Sequence, residues 1–292
     1  MTMRGSAPES AGRASVRRSV IAGSWYPGDP SDLRATIEGL LARVKPQPLD
    51  GDLVGLIAPH AGYIYSGQVA AYAYAQLLAA APAHTFSKVV VLSPVHRVYP
   101  GRFAVTDKAY YETPLGLVPV DAELIRAIER HVALNRVSQD MEHSLEIQLP
   151  FLQHVLGDFG LAPIMLGDQD WESAAALGRA LAQAIGESPQ SQGKTLLLAS
   201  TDLSHFHPYE VAVKLDQLVL DRIAAYDPEG LALLLAMRKA EACGGGPVAA
   251  VLVAAQEMGA NRAVVLKYMN SGDVTGDRGS VVGYAAAALV RS

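Results

Sequence analysis

The sequence has a single cysteine, Cys243, in 292 residues. An intrachain disulfide is therefore excluded, and a lone thiol suits a reducing compartment, so a cytoplasmic location is expected. Charge is scarce as well. Asp, Glu, Lys and Arg together make up 18% of the chain, with a net charge of −5. Such a balance offers no basic surface to nucleic acid or to an anionic membrane, and neither is expected as a partner. No apolar run approaches the ~20 residues that a bilayer-spanning helix needs. GxGxxG and Walker-type loops are missing, so nothing indicates a bound nucleotide. The first twenty residues carry four arginines, one acidic residue and several serines, without the apolar stretch of a secretory signal. They read as a disordered tail, 1–20, ahead of one domain spanning 21–292.

What is plentiful is apolar sequence, 50% of the chain, enough for a full core. It is arranged as short continuous runs separated by helix-type patterns. Leu53 to Ala58, Lys88 to Ser93, Leu161 to Leu166 and Thr195 to Ser200 are such runs, of the kind found in strands covered on both faces. Helices are expected over 66–80, 121–131, 171–185, 210–225, 228–237 and from Pro247 to Met258. An early helix near Pro30 carries Leu33, Ile37, Leu40, Leu41 and Val44 as its apolar stripe, with Ser31 as its N-cap. Two strands, Ala263 to Tyr268 and Ser280 to Leu289, close the chain. The expected fold is α/β, a single domain with a central mixed, mostly parallel sheet flanked by helices.

Polar residues follow several of these strands. Pro59 ends the first run, because it has no N–H for the ladder, and His60 comes next. The second run ends in Pro94-Val95-His96. His60 and His96 lie 36 positions apart, about one βαβ unit, so neighbouring parallel strands would bring both to one edge. The run ending at Ser200 leads into Asp202 and His205, a carboxylate and an imidazole suited to acid–base work. His207 is expected to face away from His205. Cys243 precedes a glycine-rich helix start, where free N–H groups and the helix dipole favour a thiolate. Two imidazoles and a thiolate form a three-ligand set suited to Fe(II), Cu or Zn rather than Mg or Ca. His143 and Glu146 fall on one helix face, read as turned inward. Trp25 and Tyr26 fit either a core or a pocket wall. No chemistry is assigned to the loop 271–280.

The segments Ala22–Pro27, Ala58–Gly67, Pro94–His96, Glu142–Glu146, Asp202–Phe206 and Cys243–Gly244 together resemble the Memo family, called AmmeMemoRadiSam system protein B in bacteria. The resemblance runs through nearly the whole chain from residue 21. Memo proteins are in turn similar to class III extradiol dioxygenases, which hold non-haem iron on two histidines and a carboxylate. The likeness implies that His60 and His96 are metal ligands, with Cys243 where the dioxygenases have a glutamate. It implies an acid–base role for His205 beside the metal ligands, with Asp202 orienting it. Trp25, Tyr65, His143 and Glu146 would contact substrate, an unidentified small molecule or peptide. A thiolate donates more strongly than a carboxylate, which makes copper a competitor for iron. The resemblance also implies a pathway link to a radical-SAM protein and its companion domain. The alternative to a metal-dependent oxidoreductase is a non-catalytic peptide- or copper-binding module using the same cleft.

Overall fold

The computed structural model describes residues 15–45, 49–80 and 86–292. Its strands are β1 (Val16–Arg17), β2 (Asp52–Ala58), β3 (Lys88–Pro94), β4 (Phe103–Thr106), β5 (Tyr110–Thr113), β6 (Gly116–Pro119), β7 (Asn135–Val137), β8 (Gly160–Leu166), β9 (Thr195–Ser200), β10 (His205–His207), β11 (Arg262–Asn270) and β12 (Val281–Arg291). Nine of them form one mixed sheet, running β10-β12-β2-β9-β3-β8-β4-β7, with β11 paired to β12. The central strands β2, β9, β3 and β8 are parallel, and β11 and β12 are antiparallel. A small second sheet orders β1-β5-β6.

β3 and β9 send alternate side chains to opposite faces, and β2 does so on either side of a register shift at Val54. Val54 and Ile57, Val90 and Leu92, and Leu197 and Ala199 point to one core, beneath helices Trp171–Gly186 and Gly245–Glu257. Leu53 and Leu56, Val89 and Val91, and Leu196 and Leu198 point to the other, beneath Pro30–Ala42 and Tyr63–Ala80. A strand covered on both faces must be apolar at every position, which is why these runs are continuous rather than alternating.

The topology departs from the sequence reading at one place. β2 and β3 are not neighbours, because β9 lies between them and pairs with both. Nothing within an apolar run specifies which partner it takes, so a strand from far along the chain can insert there. Helix Pro30–Ala42 is capped by Asp29 rather than Ser31: the Asp29 side chain accepts from the N–H of Ser31 and Asp32, and Pro30 fills the first turn.

The expected tail boundary also shifts. Residues 1–14 lie outside the described residues, but Val16–Arg17 pairs with β5 and Arg17 is buried. The domain therefore takes in residues that the composition had assigned to the tail. None of the described helices is long and apolar enough to cross a membrane.

Candidate metal centre

β2, β9 and β3 run parallel, so their carboxyl ends share one edge, and the loops leaving them hold His60, Asp202 and His96. Such an edge, where neighbouring connections diverge, is a natural crevice in an open α/β sheet. Asp202 comes from the middle strand and ties the flanking loop to it. Its Oδ1 accepts the backbone N–H of His60 at 2.7 Å and of Ala61 at 3.3 Å.

Cys243 arrives from the glycine loop ahead of helix Gly245–Glu257. Its backbone N–H donates to the Asp202 carbonyl at 3.2 Å, and its Sγ accepts the Asp202 N–H at 3.2 Å. Gly244 is required for this approach. A Cβ there would lie 2.1 Å from the Ser200 carbonyl oxygen. Gln169, in the loop after β8, clamps the same turn. Its amide donates to the Cys243 carbonyl at 2.9 Å and accepts the Gly246 N–H at 3.0 Å.

His60 Nε2 lies 3.0 Å from Cys243 Sγ, and the His60 and His96 rings meet edge to face with centroids 5.1 Å apart. One ligand atom from each of His60, His96 and Cys243 falls within a mutual 4.8 Å. The hydrogen bonds around the rings set their tautomers. Ser200 Oγ donates to the Ser144 carbonyl at 2.6 Å and accepts from Gln148 Nε2 at 2.8 Å. Its one hydrogen is thus committed, so the 3.0 Å contact with His60 must have Nδ1–H as donor. Nε2 is left with its lone pair towards the thiol. The same holds for His96, whose Nδ1–H donates to Glu142 Oε1 at 2.9 Å while its backbone N–H donates to Oε2 at 2.6 Å. Metal-binding histidines are commonly held in this way through their second nitrogen.

Electrostatics complete the set. Burial, joined by His96 and His143, holds His60 well below the ordinary imidazole range, hence neutral. Burial also opposes ionisation of Glu142, but hydrogen bonds from His143 and His96 outweigh it and keep this carboxyl far below the usual range. Asp202 is pushed up to about 6 by burial, against the pull of the His60 and Ala61 N–H groups. Burial raises the Cys243 thiol as well, and the Asp202 charge adds to it. The helix start therefore does not by itself supply the thiolate expected from the sequence, which a bound cation would have to draw out. A neutral His60 with its Nε2 lone pair free, a second imidazole and a thiol within reach, and Nδ1 partners in place for both rings fit a divalent or cuprous ion.

The profile of the family described as Memo-like protein matches residues 17–288. The chain belongs to the Memo family. A MEMO1 family protein of Methanothermobacter thermautotrophicus is 38% identical over 288 residues, covering 92% of this chain and 99% of its own length. One from Methanopyrus kandleri is 38% identical over 281 residues, covering 92% and 97% respectively. Among solved structures, an uncharacterized protein of Escherichia coli K12 aligns with a TM-score of 0.55 at 14% identity, over 81% of this chain and 99% of that one. That likeness is one of fold.

In this Memo protein a cavity of about 660 Å³ opens over the candidate centre, lined by Trp25, His60, Tyr65, His96, His143, Asp202 and His205 among others. Seven of the expected site residues thus share one cavity, where the His143 ring lies 4.6 Å from that of His96 and 4.4 Å from that of Trp25. His207 is turned out of it, with Nε2 2.9 Å from Glu241.

Three expectations change. Glu146 does not line the cavity: fully buried, it accepts from Arg17, from Ser19 Oγ and Tyr26 Oη at 2.6 Å each, and from the Val20 N–H at 2.9 Å. It anchors the segment that carries Trp25, so Tyr26 belongs to the core while Trp25 lines the cavity. Asp202 does not orient His205 by hydrogen bonding; the Leu203 carbonyl accepts His205 Nδ1–H at 2.8 Å. The stretch 271–280, expected as a loop without chemistry, begins as a short helix, Ser271–Thr275, and contributes Ser271, Thr275, Asp277 and Ser280 to the lining. Glu142 was missed as a functional residue, although it stands beside His143 in the segment that signals the family.

Proposed function

We propose that this Memo protein binds iron or copper on His60, His96 and Cys243 and acts as a metal-dependent oxidoreductase of dioxygenase ancestry on a small molecule held in the cavity. The observation that carries this reading is the convergence of the three ligand atoms within 4.8 Å, with His60 and His96 also lining the cavity. When bound, such an ion supplies one-electron chemistry and an electrophilic position for a substrate oxygen, with a thiolate donor that favours soft, redox-active metals over Mg or Ca. Cys243 gives up its proton on binding, while His60 and His96 bind as neutral rings.

Around that centre, His205 is the group that moves a proton. Its Nδ1–H is held on the Leu203 carbonyl, so its Nε2 has a lone pair to accept a proton from substrate and return it. Trp25 and Tyr65 give the bound molecule flat apolar walls. Asp202 stabilises the arrangement by holding the His60 backbone and by its charge near the site.

A second reading is a binding module without turnover. It is favoured by a groove on the far side of Trp25 and Tyr65, lined also by Gly39, Leu40, Arg43 and Gln68, which would suit an extended ligand such as a peptide.

Metal analysis of anaerobically purified protein, beside His60→Ala and Cys243→Ser, tests the first reading. The expected result is close to one equivalent of iron or copper in the wild type and loss in both variants. Zinc lost in both variants would redirect the assignment to hydrolysis. A wild type without metal would favour the binding module.

A further inference from the structure

The cavity has walls that the metal and the proton-moving histidine leave unused. Phe206 and Tyr284 join Trp25 and Tyr65 in the lining, so four aromatic side chains surround the space above the centre. Phe206 is the least expected of them. Its ring is 75% exposed and its backbone has φ of 63°, a left-handed conformation that a phenylalanine adopts only at a cost. Neither burial nor local preference keeps it there. It stands against His205, ring centroids 5.7 Å apart, at the rim of the cavity.

The acidic residues of the lining, among those described, are Asp202 and Asp277, and no lysine or arginine joins them. Asp277 sits on the rim, where its Oδ1 accepts the Gly279 N–H at 2.9 Å and its own N–H donates to Thr275 Oγ1 at 3.1 Å. The neighbouring cations are engaged elsewhere. Arg278 is stacked on Tyr209, its guanidinium carbon 4.2 Å from the ring centroid. Arg97, next to His96, lines a separate hollow with Val98 and Met141. Aromatic faces attract an ammonium group, and a carboxylate at the mouth selects the same charge.

We propose that the cavity takes a substrate with a flat apolar body and a protonated amine, the body lying between Trp25, Tyr65 and Phe206 and the amine towards the Asp277 rim. The proposal rests on the reading of this cavity as the substrate site of the metal centre. It gives a reason for Phe206, whose exposed ring is covered only when such a molecule is bound.

Three phenols of one body and different charge test it: tyramine, 4-ethylphenol and 3-(4-hydroxyphenyl)propanoate. The shared hydroxyl cancels any coordination to metal. Calorimetric titration of the full-length protein should give tyramine as the tightest of the three, by about three- to tenfold over the neutral phenol. Asp277→Asn should remove most of that advantage while leaving 4-ethylphenol unchanged, and Asp277→Lys should reverse the order in favour of the propanoate. Phe206→Ala should weaken tyramine and 4-ethylphenol alike. Asp277 is exposed, so its variants are expected to melt with the wild type. Equal binding of the three, tighter binding of the propanoate to wild type, an amine advantage that survives Asp277→Asn, or no binding of tyramine would each overturn the proposal. Metal content measured on the same samples separates this from the reading beneath it. A full equivalent of metal without amine preference removes the substrate class alone. An amine preference without metal keeps the cavity and removes the centre.

Discussion

At Ser200 a single hydroxyl meets the Ser144 carbonyl, the Gln148 amide and His60 Nδ1, and its one hydrogen goes to the carbonyl. The His60 tautomer is thereby set from behind. Ser200→Ala should leave the fold intact but release that constraint, and metal affinity measured by chelator competition should fall by about 10- to 100-fold. Charge at the site sets its pH response. Burial raises the Cys243 thiol, so binding must expel its proton, whereas His60 is already neutral. Affinity should therefore rise with pH across the neutral range, by up to about tenfold per unit, with one proton released per ion. Asp202 gives a second pH effect, this time on stability. Its pKa of about 6 lies above its unfolded value near 4, so the folded state holds the proton more tightly. The stability it contributes is full below about pH 4 and is lost as pH rises through about 6, amounting to about 3 kcal/mol in the metal-free protein. Thermal melts of Asp202→Asn across that window should be flatter than those of the wild type.

Among the secondary-structure elements, the four-residue helix His143–Glu146 joins the metal site to the start of the domain. Glu142, its N-cap, holds His96, and Glu146 gathers Arg17, Ser19, Val20 and Tyr26. Arg17 also faces Asp140 at 3.4 Å, so one guanidinium serves two buried carboxylates. Arg17→Met should destabilise the protein by about 3–5 kcal/mol, because both carboxylates would be left buried and unpaired. Urea denaturation measures this; a milder loss on adding Glu146→Gln would show the unpaired charge to be the cause. The sequence made the His-x-x-Glu spacing visible but not the direction in which Glu146 points. Its partners lie more than a hundred residues earlier, and Arg17, Ser19 and Val20 fall in a stretch that composition assigned to a tail. Gln169 was hidden for the same reason, as a polar residue in a loop whose only signal is the two backbone groups it bridges in three dimensions.

Across the whole molecule, the strands β2, β3, β8 and β9 were readable because burial on both faces demands unbroken apolar runs, and the punctuation after them exposed His60, His96, Asp202 and His205. The order of the strands was not readable. Apolar runs of similar length and content carry no address, so the insertion of β9 between β2 and β3 emerges only in the assembled sheet. That insertion brings Asp202 between the two histidine loops, and the loop bearing Cys243 follows Asp202 into place.

The three candidate ligands therefore have no common neighbourhood along the chain. His60 and Cys243 are separated by 183 residues and become neighbours only once β9 has closed the gap between β2 and β3. During synthesis both histidines are made long before Cys243, so the His60, His96 and Cys243 group is completed last by the thiol. Completion of this candidate group thus coincides with completion of the central sheet that positions it.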